Sequence, residues 1–350
     1  MKHIYSYNKN KYEYNKVMKG DFMKKIIILF CAITILITVA ILFNNKNDNK
    51  KLKNIKVAEV THSIFYTPMY VSDALGYFEN EGLNVEIILT SGADNVAAEV
   101  LSGDVQIGFC GSEQSIYIYN KGAKDYLINF AGLTKRDGSF LISREKDDKF
   151  DLSHLIGKDI IGGRKGGMPA MTLAYTLHEF GINDDEVNID TSIAFSSMSG
   201  AFIGGTGDYV TLFEPNAIQL ERLGYGYVVA SVGELGGIVP YTAFNAKKSY
   251  IEKNPKVIEG FSKAIQKGLD YTFNHSDEEI ANIIEDYFPD TSHNDLVNTI
   301  KNYRKIDSWF KTTYISKEGF DHIQDIMKYN KVLDKKVPYK ILVNNTYNHE

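Results

Sequence analysis

Four glycines fall within eight residues at 162–169, "GGRKGGMP", and such density brings bare backbone against whatever lies next to it. The partner can be a phosphate, a metabolite or only a neighbouring strand. A nucleotide phosphate loop needs Gly-x-x-x-x-Gly-Lys followed by Ser or Thr. Gly162 and Gly167 have that separation, but Met168 and Pro169 stand where the lysine and the magnesium ligand belong. Arg164 replaces the second glycine of a dinucleotide fingerprint, so nucleotide chemistry is not expected. What remains is a strand, a glycine turn and a helix, with Pro169 suited to the first helical turn. No Ser, Thr, Asp or Asn stands just before it as a cap. The first-turn N–H groups around Gly166, Gly167 and Met168 are therefore open to a polar ligand atom, or to water, at the helix's positive end.

Further helix starts of the same kind follow. Ser91 and Gly92 precede a helical pattern from Ala93, and Gly111, Ser112 and Glu113 open another after Cys110. Ser112 reads equally as an N-cap. Glu113, with Glu214 of "LFEP", favours an amine-bearing or cationic ligand and opposes a bare anion such as nitrate; otherwise both are solvated carboxylates. Phe65 and Tyr66 can stack on a flat ring or pack over the first strand. Phe195 and Ser196 precede one more helix, and Arg164 and Lys165 can reach an anionic group or remain in water. His62 can donate to a ligand, but one histidine is not a metal site, and no His, Asp or Glu pair at ligand spacing accompanies it. No nucleophile stands with a base and an orienting group at recognisable spacing. Neither catalytic residues nor a metal or cofactor are expected.

The elements that position these residues alternate from Asn54 onward. "IKVAEV" and then "TPMYVSDALGYFENEG", and "NVEIILT" and then "ADNVAAEVLSGD", set the rhythm of a parallel sheet flanked by helices. The charged run 144–151, "REKDDKFD", reads as a crossing between domains, after which "KDIIGG" restarts the alternation. From about Lys247 the pattern is mostly helical. An internal repeat is expected at an offset of 104 residues, which lays Gly103-Asp104 on Gly207-Asp208, Phe109 on Phe213 and Gly122 on Gly226. The same offset lays 61–68, "THSIFYTP", over 165–172, so two similar lobes would turn equivalent loops towards a shared cleft beyond the strands' carboxyl ends.

The chain has 350 residues, 44% hydrophobic and 24% charged, enough for a large core in two or three domains. A net charge of −5 leaves no basic surplus for a nucleic-acid backbone. Two distant cysteines, Cys31 and Cys110, argue against a disulfide framework. Residues 26–43, "IIILFCAITILITVAILF", follow Lys24 and Lys25 and read as a membrane anchor, or as an export signal, although no small-residue cleavage site follows. Cys31 follows "ILF" rather than small residues, which opposes lipidation. Met23 immediately precedes the charged start of that segment and is the expected translation start. The expected order is a polar extension (1–25), the apolar segment (26–43), a linker (44–54), a first lobe (55–146), a second lobe (147–242) and a mostly helical completion of the first (243–350). The globular part is expected outside the cytoplasm, tethered or, if the segment is cleaved, secreted.

"HSIFYTPMYVSDALGYFENEGLNVEI", "AAEVLSGDVQIGFCGSEQSIYIYNKG", "GGRKGGMPAMTLAYTLHEFGI" and "GDYVTLFEPNAIQLERLGYGYVVASVGELGGIVPYTAFNA" come in an order that resembles the substrate-binding proteins of ABC importers. The resemblance is to the superfamily that binds nitrate, aliphatic sulfonates and thiamine pyrimidine precursors, and it covers roughly residues 55–320. It implies an α/β type 2 periplasmic-binding fold of two lobes, two hinge crossings and a ligand trapped by closure. Thr242, in "VPYT", would then follow the second hinge. The implied partners are a small-molecule ligand, a permease and its ATPase, with the protein itself a monomer; nucleic acid is not expected. A planar, amine-bearing ligand of the pyrimidine-precursor type is favoured, with sulfonate or nitrate-like anions as the alternative. A membrane-anchored sensor with the same cleft is another reading. A pyrimidine-making enzyme of this fold is a further one, but the cysteine-rich motif it relies on is absent here.

Overall fold

The computed structural model describes residues 52–348. The expectations for the extension and the apolar segment lie outside the described residues, as does most of the linker. Lys53 and Asn54, assigned to the linker, already belong to the first strand, β1 (Lys53–Glu59). Among the described residues no helix is long and apolar enough to cross a membrane.

The remaining strands are β2 (Leu83–Leu89), β3 (Ile107–Cys110), β4 (Leu127–Thr134), β5 (Ser139–Ser143), β6 (Asp159–Ile161), β7 (Asn188–Asp190), β8 (Tyr209–Phe213), β9 (Tyr227–Ser231) and β10 (Thr242–Lys247). They form two five-stranded sheets, ordered β2-β1-β3-β10-β4 and β7-β6-β8-β5-β9. In each sheet the first three strands are parallel and the fourth runs antiparallel to its neighbours. In each case that fourth strand follows, in sequence, the last strand of the other sheet. The repeat offset of 104 residues lays β1 on β6, β2 on β7 and β3 on β8, with pairing registers that agree to within one residue. This is an α/β arrangement of two mixed sheets flanked by helices.

One boundary moves. β5, "SFLIS", was expected with the first lobe, but it pairs with β8 and β9 in the second sheet. The chain therefore passes between the sheets at residues 135–138, not in the charged run 144–151, which is a surface loop leading to a 3-10 turn at Leu152–Leu155. The cause is burial: all five β5 residues are buried and need partners on both edges. The second passage, 237–241, is bonded to the first: Tyr241 N–H donates to the Thr134 carbonyl at 3.0 Å and Val239 N–H to the Lys135 carbonyl at 3.0 Å.

The helix Pro255–Asn274 lies against the helix Thr67–Ala74, and they come closest where Gly268 leaves room for the Pro68 carbonyl and the Ser72 hydroxyl. A side chain at 268 would overlap both. Phe109 stacks on Phe244 across β3 and β10 with ring centroids 4.3 Å apart, and Phe261 packs edge-on to Phe244 from the long helix. Aromatic burial of this kind contributes on the order of 2 kcal/mol per ring. The loop after β1 is pinned from the far end of the chain, where Trp309 Nε1 donates to the Phe65 carbonyl at 2.8 Å.

Candidate ligand-binding site

The segments after β1 and β2 meet the end of β8 and the glycine loop after β6. Arg164, in the glycine loop, pairs with Asp94 across the gap at 3.1 Å, beside Gly92, whose φ of 99° suits glycine. Phe65 meets Phe213 edge to face at 5.8 Å, and Phe213 meets Phe195 at 5.7 Å. The Tyr117 hydroxyl lies 3.8 Å from Met171 Sδ in the opposite helix. Gly167 takes the N-cap position of the helix Met168–Glu179 with no side chain capping it, and Pro169 sits in the first turn. Met168 is buried at that start, while Gly166 turns with φ 73° and, with Lys165, borders a separate cavity of about 220 Å³.

Glu113 is the most unusual group. It opens the helix Glu113–Asn120, yet is only 3% exposed, and its Oε2 has no hydrogen-bond partner. Its Oε1 accepts from Gln114 Nε2 at 3.2 Å. The carboxyl folds back over Gly111, where any Cβ would overlap it. Burial pushes its pKa up to about 7, opposed by the helix-start N–H, Gln114 and the more distant Arg164. Its charge in turn raises the hydroxyl pKa values of Tyr66, Tyr117 and Tyr241, all of which burial raises first. A carboxyl surrounded by tyrosines, with one oxygen unmatched, can accept an N–H donor and balance a cation.

Several expected contacts are engaged inside the protein. His62 is bonded through Nδ1 to Glu59 at 2.8 Å and through Nε2 to the Tyr287 carbonyl at 2.8 Å, and it stacks on Phe288; the Glu59 bond raises its pKa. The Tyr70 hydroxyl donates to the other oxygen of Glu59. The Ser112 hydroxyl donates to the Pro240 carbonyl at 2.6 Å and does not cap its helix. Thr242 Oγ1 bonds Thr134 Oγ1 at 2.6 Å between the two passages. Glu214 accepts from Asn302 Nδ2 at 2.7 Å and from Ile218 N–H at 2.9 Å, so it is a buried brace rather than an open carboxylate. A polar group that folding buries needs a partner within reach, which is why Ser112, Thr242 and Glu214 carry these bonds.

Phe65 and Tyr66 are buried, with Phe65 also against Tyr303 and Tyr241. Ser91, Phe195 and Ser196 are exposed at the rim. Sequence reasoning gave no weight to Tyr117, whose hydroxyl meets Met171 of the opposite helix, or to Asp137, whose carboxyl is hydrogen-bonded by Ser139 and Tyr241. Asp137 is 1% exposed in the first passage, and that passage was sought in the wrong stretch; the Asp137-Gly138 pair was the available signal. Among the described residues no three His, Cys, Asp or Glu side chains stand together as a metal would need.

Comparison with known proteins places these features. Residues 64–279 match the family model "NMT1/THI5 like". The chain is 43% identical over 294 residues to "Putative binding protein YtlA" of Bacillus subtilis (strain 168), covering 84% of this chain and 88% of that one. It is 25% identical over 230 residues to the 4-amino-5-hydroxymethyl-2-methylpyrimidine phosphate synthase of Candida albicans (strain WO-1), covering 61% of this chain and 65% of that one. Among solved structures it resembles the periplasmic aliphatic sulphonate binding protein SsuA from Escherichia coli, with a TM-score of 0.66, 16% identity, 83% of this chain covered and 97% of the other. The chain belongs to the NMT1/THI5-like family and carries the two-lobed α/β fold of periplasmic binding proteins.

Proposed function

We propose that the chain is the extracytoplasmic substrate-binding component of an ABC importer, which captures a small, planar, amine-bearing nutrient between its lobes and presents it to a permease. The observation that carries this reading is the buried Glu113 carboxyl with an unmatched Oε2 at a helix start. A buried acceptor without a partner costs about 1–3 kcal/mol, and a ligand N–H removes that cost only when bound. The tyrosines around it supply flat faces and little charge of their own. Differential affinity for the closed arrangement then shifts the population towards it, and the permease reads the closed form.

The pyrimidine-precursor class fits a ring with exocyclic amino donors, and the 25% likeness to a pyrimidine phosphate synthase supports it. An anion reading is favoured by two features, the uncapped helix start at Gly167 and the likeness to SsuA. Arg164 supports that reading less, since its guanidinium is held by Asp94. Binding rather than catalysis is supported by the buried state of Cys110, whose thiol burial holds well above its ordinary pKa and so keeps unreactive.

The test is X-ray scattering of the soluble fragment with 4-amino-5-hydroxymethyl-2-methylpyrimidine, ethanesulfonate or nitrate. The reading expects compaction with the pyrimidine. Compaction with ethanesulfonate or nitrate alone favours the anion reading, and unchanged dimensions with all three count against closure around such ligands.

A further inference from the structure

The helix Lys317–Tyr329 carries two stripes with different tasks. Phe320, Ile323 and Met327, spaced at three and four residues, are fully buried in the main hydrophobic core. On the same side Gln324 accepts from the Val337 N–H at 2.7 Å and donates to the Val337 carbonyl at 3.2 Å, and further along the chain the Asn344 N–H donates to the Asn129 carbonyl of β4 at 2.9 Å. These bonds fix the helix to the first lobe. Its second stripe, His322 and Tyr329, faces the helix Met168–Glu179 of the second lobe, where Met171, Tyr175 and His178 form a stripe of the same period.

Rings make most of this contact. Tyr329 stacks on His178 with centroids 4.4 Å apart and meets Tyr175 edge to face at 5.8 Å, and Tyr175 meets His322 at 5.7 Å. Asn330, directly after the helix, donates through Nδ2 to the Met171 carbonyl at 3.1 Å, and the Tyr329 hydroxyl donates to Asp184, beyond the end of the second-lobe helix. At the other end of the stripe His322 Nδ1 lies 2.9 Å from the Ile238 carbonyl in the second passage, where Gly237 turns with φ 76° and a side chain would press on the His322 ring. One helix thus touches both the hinge and the helix that starts at the glycine loop. The contact is not close-packed. Tyr329 and Tyr175 are half-buried, His178 and Asp184 are exposed, and two cavities of about 410 and 220 Å³ are each bounded by Asn330 on one side and by Ala174 and Ile189 on the other. A protein core leaves no voids of that size, so a few rings and two hydrogen bonds carry this contact, and they can part without opening a core.

Resting on the lobe closure of the binding reading, we propose that residues 322–330 form a strap that holds the second lobe's helix in the arrangement where the lobes meet, with Tyr329 as its positioning residue. The strap coexists with the contacts across the cleft, Phe65 with Phe213 and Arg164 with Asp94, and neither pair shares a residue with it. A second lobe that turns about residues 135–138 and 237–241 carries its helix away from the strap, which stays with the first lobe. A contact made in only one of two states shifts their balance by its own strength. Ring pairs of this kind correspond to about a two- to ten-fold change in that balance. Tyr329 therefore sets how readily the cleft opens without reaching into it.

The experiment is hydroxyl-radical footprinting of the purified, ligand-free full-length chain, read by mass spectrometry at Phe65 and Phe213, whose rings meet across the lobes. Wild type is compared with Tyr329→Ala, Tyr329→Phe and Asp184→Ala and, as a break on the cleft side, with Arg164→Ala. The expectation is that Tyr329→Ala raises modification of Phe65 and Phe213 about two- to ten-fold. Tyr329→Phe keeps the ring and raises it less, and Arg164→Ala raises it as well. If Tyr329→Ala raises modification only at Tyr175 and His178 while Arg164→Ala exposes Phe65 and Phe213, the contact is local packing; that overturns the strap and leaves closure standing. No rise at Phe65 and Phe213 in either Tyr329→Ala or Arg164→Ala overturns the strap and closure together. A fall in Tyr329→Ala means that the contact holds the lobes apart, which also overturns the proposal. If Tyr329→Ala does not fold, Asp184→Ala, a change at an exposed side chain, carries the same test, and unchanged modification of Phe65 and Phe213 there overturns the strap.

Discussion

The Ser112 hydroxyl donates to the Pro240 carbonyl at 2.6 Å, with Ser112 fully buried, and so ties the helix start that carries Glu113 to the second passage between the lobes. Ser112→Ala removes that bond and leaves a buried carbonyl oxygen without its donor. A loss of about 1–2 kcal/mol follows, or a drop in Tm on the order of 2–6 °C for a chain of this size. If the bond also sets the position of Glu113, ligand affinity falls several-fold at temperatures where the variant remains folded. Differential scanning calorimetry and titration of the same sample separate the two effects, and an unchanged Tm removes this bond from the account.

Glu113 gives stability a pH dependence of definite sign. Its folded pKa is raised from 4.5 to about 7 by burial. Below the unfolded pKa both states hold the proton and nothing is lost. Between 4.5 and about 7 the unfolded chain ionises first, so stability falls as pH rises through this window, and the penalty is complete above it. Its size is on the order of 3 kcal/mol. Glu113→Gln removes the titration, so the variant melts higher than wild type at pH 8 and at nearly the same temperature at pH 4. Equal melting at both pH values counts against a buried protonated Glu113. Saturating ligand matched to Glu113 narrows the gap at pH 8.

Much of this fold is legible from the residues, and the failures share a cause. The strand "LINFAGLT" and the helix after "NPK" appear where their patterns put them, as β4 and Pro255–Asn274, because apolar periodicity reflects which faces are buried. The 104-residue repeat was readable because equivalent strands need equivalent turns. The passage between lobes was misplaced because a charged run resembles a linker, whereas the four-residue passage, "KRDG", is marked only by its Asp-Gly pair, which reads equally as an ordinary turn. Glu113 and Glu214 look alike in sequence, each an acidic residue beyond a strand. Only long-range partners separate them: Asn302 satisfies Glu214 from 88 residues away, and nothing equivalent reaches Glu113 Oε2. Side-chain matching of that range is invisible to local spacing.

That contrast predicts opposite phenotypes. Glu214→Ala deletes two buried acceptors, leaving Asn302 and the Ile218 N–H unmatched. The expected result is destabilisation by about 2–4 kcal/mol, since buried donors without partners are costly. Ligand affinity of the folded fraction should stay within about threefold of wild type, because additive effects are expected of groups that do not share a partner. Chemical denaturation and titration at low temperature check both. A large affinity loss with little loss of stability restores Glu214 to the site.

Arg164 and Asp94 join the glycine loop to the opposite helix start, and both side chains are more than half exposed. An exposed pair contributes only about 0.2–1 kcal/mol and is screened by salt. Arg164→Ala therefore leaves Tm nearly unchanged. With the proposed closure, its effect falls on the open and closed populations, because parting the lobes would separate Arg164 from Asp94. Removing it favours opening by at most a few-fold, and a ligand that leaves through the open form then dissociates correspondingly faster. Stopped-flow displacement at low and high ionic strength is the measurement. The expected result is a dissociation rate two to five times that of wild type at about 20 mM salt, with the two proteins converging at about 1 M, where the Debye length falls to about 3 Å. A difference that persists undiminished at high salt shows that Arg164 acts by contact with the ligand, not by pairing with Asp94.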